Sequence, residues 1–178
     1  AAPGGKTTHL AQLMQNTGRI YALDQYPHKT DLITENAQRL QIKIIETMTA
    51  DARSWCPLEP LDGILLDAPC TGTGVLRRRP DLRWRRQPAD LPELVNLQQA
   101  LLNHASALLK PGGRMVYSTC ALEFEENEGQ IRHFLATHPD FAVALPEHFA
   151  PAFKGERSGE GLLILPHQEE PDGFFMTR

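Results

Sequence analysis

The chain has 178 residues, 41% of them hydrophobic, and a formal net charge of −4. That length accommodates one domain with a true core, and no apolar run approaches the roughly 18–20 residues of a membrane-spanning helix. Three cysteines, an odd number, argue against a disulfide framework and for a reducing, cytoplasmic setting; the acidic balance excludes a uniformly basic nucleic-acid binder.

The chain opens on AAPGGKTTHL, and residues 6–16 carry Leu10, Leu13 and Met14 at helical spacing. GRIYALDQ, 18–25, reads as a short buried strand opened by Gly18 and closed by Asp24. Residues 28–40 predict a helix with Leu32, Ile33, Ala37 and Leu40 on one stripe, and 42–51 a strand followed by a loop acid, Asp51. LDGILLDAPC, 61–70, predicts a fully buried strand that runs out into Asp67-Ala-Pro-Cys70. The helical pattern is clearest over 92–109, with KPGG, 110–113, as the turn that stops it. RMVYSTC, 114–120, is the next strand, and Glu125 to His138 the next helix. FAVALP, GLLILP and GFFMTR read as short late strands, with Pro and Gly between the last two pointing to an antiparallel finish. Helices and near-continuous apolar strands in alternation mean an α/β protein with a mostly parallel sheet covered on both faces. In such sheets chemistry gathers at the carboxyl ends of strands, where this sequence places Asp24, Asp51, Asp67 to Cys70, and Ser118 to Cys120.

One segment breaks the acidic balance. RRRPDLRWRR, 77–86, holds six of the 18 basic residues and one of the 22 acidic ones. Arg77, Arg78, Arg79, Arg83, Arg85 and Arg86 would focus an anionic partner on one place. Trp84 inside the run favours a nucleic acid over a merely solvated face.

Two readings fit this skeleton. In the first, Gly5-Lys6-Thr7 closes a phosphate-binding P-loop whose first glycine would precede Ala1, and Asp67 is a magnesium-holding strand-end acid. That reading leaves Asp24, Asp51 and both strand-end cysteines unused. In the second, the chain is a Rossmann-like S-adenosyl-methionine-dependent methyltransferase. Gly4-Gly5 then lets backbone approach the ligand, the following helix N-terminus offers N–H groups to its carboxylate, Asp24 takes the ribose hydroxyls and Asp51 the adenine amino group. Cys56 reads as incidental. Cys70 and Cys120 each end a strand, and adjacent parallel strands would bring them together for nucleophilic chemistry. No metal is expected, because no C-x-x-C or H-x-x-x-H spacing accompanies them.

AAPGGKTTHL, LLDAPCTGTGVLRRRPDLRWRR, VYSTCALEFEENE and the closing DGFF resemble the RNA cytosine-5 methyltransferases, in particular a bacterial type acting on 16S ribosomal RNA. The resemblance covers essentially the whole chain. It implies a nucleophile at Cys120, a residue that helps release the product at Cys70, and an acid at cofactor and base at Asp67. It also implies an S-adenosyl-methionine site made by Ala1, Ala2, Pro3, Gly4, Gly5, Lys6, Asp24, Asp51 and Asp67. Ala121 and Phe124 depart from the usual Thr-Cys-Ser and Pro-Glu-Glu-Asn. The implied fold is Rossmann-like, with a mostly parallel sheet and an antiparallel last strand. The resemblance further implies that 1–178 is a catalytic domain truncated at its N-terminus, without its first strand or an upstream RNA-binding domain, and poorly stable for that reason. A catalytically inactive RNA-binding fragment is the non-enzyme alternative.

Overall fold

A computed structural model describes residues 1–146, 155–166 and 172–178. They form two compact units, Ala1–Cys56 and Pro57–Arg178.

The first unit starts with a turn that only glycine permits. Gly4 sits at φ 104° and caps helix α1, Gly5–Leu13; a Cβ on it would lie 3.3 Å from the Ile33 Cα. This close approach explains why the buried face of α1 is Thr7, Thr8 and Ala11 rather than the expected stripe of Leu10, Leu13 and Met14. Leu13 is 68% exposed. Strand β1, Ile20–Asp24, pairs in parallel with β2, Ile45–Thr49, from Ile20 opposite Ile45 to Asp24 opposite Thr49. Helix α2, Pro27–Arg39, buries Thr30, Ile33 and Ala37. Its threonines reach the strand directly: the hydroxyls of Thr30 and Thr49 are 2.9 Å apart and those of Thr34 and Thr47 3.0 Å. Leu32 and Leu40, expected on the buried stripe, are partly exposed.

In the second unit β3, Leu61–Asp67, lies at one edge of a five-stranded sheet. It pairs in parallel with β4, Leu109–Thr119. Beyond β4 come β7, Phe174–Thr177, β6, Gly161–Ile164, and β5, Glu156–Ser158, all joined by antiparallel pairing. The antiparallel finish thus extends over three strands and the sheet is mixed. Its edge position leaves β3 alternately half-buried and exposed, where its apolar run predicts full burial. Helices α3, Leu82–Arg85, and α4, Asp90–Ala107, lie between β3 and β4, and α5, Glu128–Thr137, follows β4. The core gathers Ala68, Leu102, Tyr117, Ile131, Phe134 and Phe175.

Two expected elements differ. KPGG does not follow α4 as a free turn: α4 has already ended, and the segment runs within β4 as an irregularity, Leu61 facing Leu109 but Gly63 facing Arg114. FAVALP, 141–146, forms no strand. Phe141 and Val143 pack on the core, and only Ala144 joins the end of β7, its N–H donating to the Arg178 carbonyl at 2.6 Å. Hydrophobic packing satisfies this segment without a ladder. No described helix is long and apolar enough to cross a membrane.

Candidate active site

Parallel pairing of β3 and β4 sets Asp67 opposite Ser118. The chains leaving these two residues carry Cys70 and Cys120, whose Sγ atoms are 3.3 Å apart. Close backbone contacts fix that approach. The Ala68 N–H donates to the Ser118 carbonyl at 2.9 Å, and the Gly74 N–H to the Cys120 carbonyl at 2.9 Å. A side chain at residue 74 is excluded, because its Cβ would meet the Gly173 oxygen at 2.5 Å and the Cys120 oxygen at 2.9 Å. Asp67 is exposed at the strand end and accepts the Ser118 hydroxyl at 3.1 Å.

The two thiols differ electrostatically. Cys70 is held far above the ordinary thiol range, first by its hydrogen bond with Cys120, then by burial and by the charge that Cys120 carries when ionised. Two sulfurs this close resist ionising together, and the rise falls on Cys70. Cys56 is exposed, its Sγ 3.9 Å from the Ser54 carbonyl.

Of the six arginines, Arg86 turns inward. Its Nε donates to the Thr71 carbonyl and an Nη to the Cys70 carbonyl, both at 2.8 Å, so it builds the cysteine loop. Arg78 pairs with Asp172 at 3.0 Å, while Arg79 and Arg85 share Asp81 at 3.6 Å each. Trp84 is 81% exposed on α3, next to Arg83.

In the first unit Asp24 accepts the N–H groups of Ala2 and Tyr26, each at 3.3 Å. Burial acts to raise its pKa, and the N–H groups of Ala2 and Tyr26 act to lower it. Asp51 is already engaged. Arg53 grips both of its oxygens, through Nε at 3.0 Å and Nη2 at 2.6 Å, and adds its backbone N–H at 2.9 Å. This fork, side chain first, holds Asp51 well below the carboxylate range. A Cβ at Gly5 would meet nothing within 4 Å, and the first turn of α1 carries no acid.

Sequence reasoning passed over four residues that build the cysteine loops: Arg86 as a loop clamp, Gln98, Glu126 and Asn127. Gln98 and Glu126 are fully buried and Asn127 is 4% exposed. A glutamine in the middle of the apolar face of α4, and a polar EEN run directly after a buried strand, were the available signals. Among the described residues no group of three or more His, Cys, Asp or Glu is placed to hold a metal ion.

The family model for 16S rRNA methyltransferase RsmB/F matches residues 1–178. The chain is 46% identical over 181 residues to a Synechocystis sp. protein named "Probable ribosomal RNA small subunit methyltransferase B", covering 99% of this chain and 41% of that protein. It is 42% identical over 181 residues to "Ribosomal RNA small subunit methyltransferase B" of Klebsiella pneumoniae, covering 100% of this chain and 40% of that one. The chain thus spans about two fifths of the length of these relatives. Among solved structures it resembles NSun6 from Pyrococcus horikoshii with SFG, with a TM-score of 0.84 and 36% identity over 99% of this chain and 45% of that one.

Proposed function

The chain belongs to the 16S rRNA methyltransferase RsmB/F family, and from that membership we propose that it is the catalytic portion, residues 1–178, of a longer cytoplasmic enzyme that methylates carbon 5 of a cytosine in small-subunit ribosomal RNA. The methyl donor is S-adenosyl-methionine, in keeping with the analogue SFG in the related NSun6 structure. One observation carries the cytosine chemistry: two thiols 3.3 Å apart at the ends of adjacent parallel strands.

The first unit fits the donor in part. The Ala1–Lys6 turn leaves open space at Gly5, and the first turn of α1 carries no acid. Asp24 stands at the β1 end as a carboxylate. Asp51 fits less well, because Arg53 holds both of its oxygens; it takes a ligand only through a lone pair that Arg53 leaves. When bound, S-adenosyl-methionine supplies an electrophilic methyl group.

The chain's own residues prepare the base. Carbon 5 of cytosine is a weak nucleophile, and addition of the Cys120 thiolate to carbon 6 turns carbons 5 and 6 into an enamine. Asp67, exposed at the strand end, is available to stabilise charge at the base. Once Cys120 is a thioether, the hydrogen bond and the charge that held the Cys70 proton are gone. Cys70 is then free to ionise and to remove the proton from methylated carbon 5, and Cys120 leaves as a thiolate. The single proton released per turnover balances the hydrogen replaced on carbon 5. The target base must be unstacked to reach such a pair.

The test is a pair of substitutions in the full-length protein. Cys120→Ser is expected to abolish methylation, and Cys70→Ala to trap a covalent RNA adduct on denaturing gels. An adduct on Cys120→Ser and none on Cys70→Ala would reverse the two roles. Magnesium-ATP binding with no affinity for S-adenosyl-methionine would restore the P-loop reading, and RNA binding without turnover would support the inactive-fragment reading.

A further inference from the structure

The cysteine pair is held by two consecutive residues. Glu126 and its helper Gln98 take the residues on both sides of Cys70. The Thr71 N–H donates to Glu126 Oε1 at 2.9 Å, and the Gln98 amide donates to Glu126 Oε1 at 2.9 Å and to the Pro69 carbonyl at 2.8 Å. Asn127 takes the residues on both sides of Cys120. The Thr119 hydroxyl donates to Asn127 Oδ1 at 2.5 Å, and the Asn127 amide donates to the Ala121 carbonyl at 2.9 Å. The Tyr117 hydroxyl, donating to the Glu126 carbonyl at 2.7 Å, ties this dipeptide back to β4. Adjacent positions in the chain thus set the positions of both sulfurs.

The proton count in this bracket is specific. Thr71 Oγ1 lies 2.5 Å from Glu126 Oε2 and 2.9 Å from Glu123 Oε2. A hydroxyl has one hydrogen to donate, so two ionised carboxylates cannot both be satisfied there. Glu123 Oε2 already accepts the Thr73 hydroxyl at 2.6 Å and the Leu122 N–H at 3.1 Å, donors suited to a carboxylate. Glu126 is fully buried. The second hydrogen therefore belongs on Glu126.

We propose that Glu126 and Asn127 are the positioning residues that set the spacing of Cys70 and Cys120, and that Glu126 acts as a neutral carboxyl, donating to Thr71 while Thr71 donates to Glu123. The inference deepens the cytosine reading and rests on it for its catalytic meaning. Burial first, and the neighbouring Glu123, raise the Glu126 carboxyl above its ordinary range, against the opposing hydrogen bonds from Thr71 and Gln98; Glu123 is lowered despite burial by the Thr73 and Thr71 hydroxyls. The other titratable groups at this cluster are Cys70, Cys120 and Tyr117. The nearby guanidinium of Arg86 is turned to the Cys70 and Thr71 carbonyls and pairs with Asp90 of α4 at 3.7 Å, and α4 and α5 contribute the neutral Gln98 and Gln130.

The experiment compares Glu126→Gln with Glu126→Asp in the full-length protein. It reads alkylation of each cysteine by iodoacetamide against pH, the infrared carbonyl band of a protonated carboxyl, and methyl transfer. Glutamine keeps one acceptor and one donor in the same places, so Glu126→Gln is expected to preserve the order of thiol reactivity and to keep kcat within about threefold. The carbonyl band of the parent should vanish in Glu126→Gln. Glu126→Asp, one methylene shorter, should lose the bracket, equalise the two thiols and lower kcat at least about tenfold with KM for RNA little changed. A parent without the neutral-carboxyl band overturns the proposal, as does a glutamine variant as impaired as the aspartate one. If the parent methylates no cytosine, the functional reading fails while the thiol and infrared results still decide the bracket.

Discussion

Two sulfurs at 3.3 Å set the chemistry at the residue scale. Like charges that close resist simultaneous ionisation, and the rise falls on Cys70. Cys120→Ala removes both the hydrogen bond and the charge that raise Cys70. Its thiol is expected to titrate at lower pH than in the parent while staying above an exposed cysteine, because burial remains. Alkylation rate against pH measures this; an unchanged Cys70 profile would make burial the whole cause. The sign is that of a raised group: its neutral form persists as pH climbs and is lost only above the shifted value. Asp24, Asp51, Asp67 and both strand-end cysteines were legible as residues, since each follows an apolar strand. The Arg53 fork on Asp51 was not, because a side-chain partner two positions along a turn depends on how that turn closes.

At the scale of elements, apolar periodicity located the helices and missed their buried faces where those faces are small or polar. Thr7, Thr8 and Ala11 bury on α1, and Thr30 buries on α2, because short side chains allow close approach. Gln98 buries on α4 to serve the loop after β3. The arginine run divides in the same way. A charge count treats its six members alike, but Arg86 holds the cysteine loop and Arg78, Arg79, Arg85 and Arg86 are all paired with acids. The short helix α3 presents Arg83 beside the exposed Trp84. Arg83→Ala is expected to weaken RNA binding and reduce the slope of log affinity against log salt by about 0.7. Trp84→Ala should cost about 1–3 kcal/mol with the slope unchanged if the indole stacks on a base. Titrations at several salt concentrations separate the two, and a Trp84 variant with parental affinity would assign the indole no role in RNA contact.

For the molecule as a whole, the two units differ in how their sheets are supported. Ala1–Cys56 has one pair of strands and a small core built around Ala11, Ala22, Ile33 and Ala37; a two-stranded sheet is marginal without further packing. In Pro57–Arg178, β4 lies between β3 and β7, with Tyr117, Ser118 and Thr119 at 2% exposure or less. Amide exchange of the 178-residue chain should therefore be slowest over Met115–Thr119 and clearly faster over Ile20–Asp24. Equal protection of both strands would show that the first unit draws stability from elsewhere.

The sequence by itself determined the main strands and helices, the placement of acids and cysteines at strand ends, and the family, because these depend on local periodicity and on short motifs that survive without coordinates. Only the tertiary structure decided that the sheet is mixed, that β3 is an edge strand, and that FAVALP packs without pairing, since pairing partners distant in sequence leave no mark on local pattern. It alone also decided which arginine faces inward and that Glu126 and Asn127 grip the neighbours of the two cysteines. Those outcomes depend on a handful of buried donors and acceptors finding one another, and burial in three dimensions is what makes each of them obligatory.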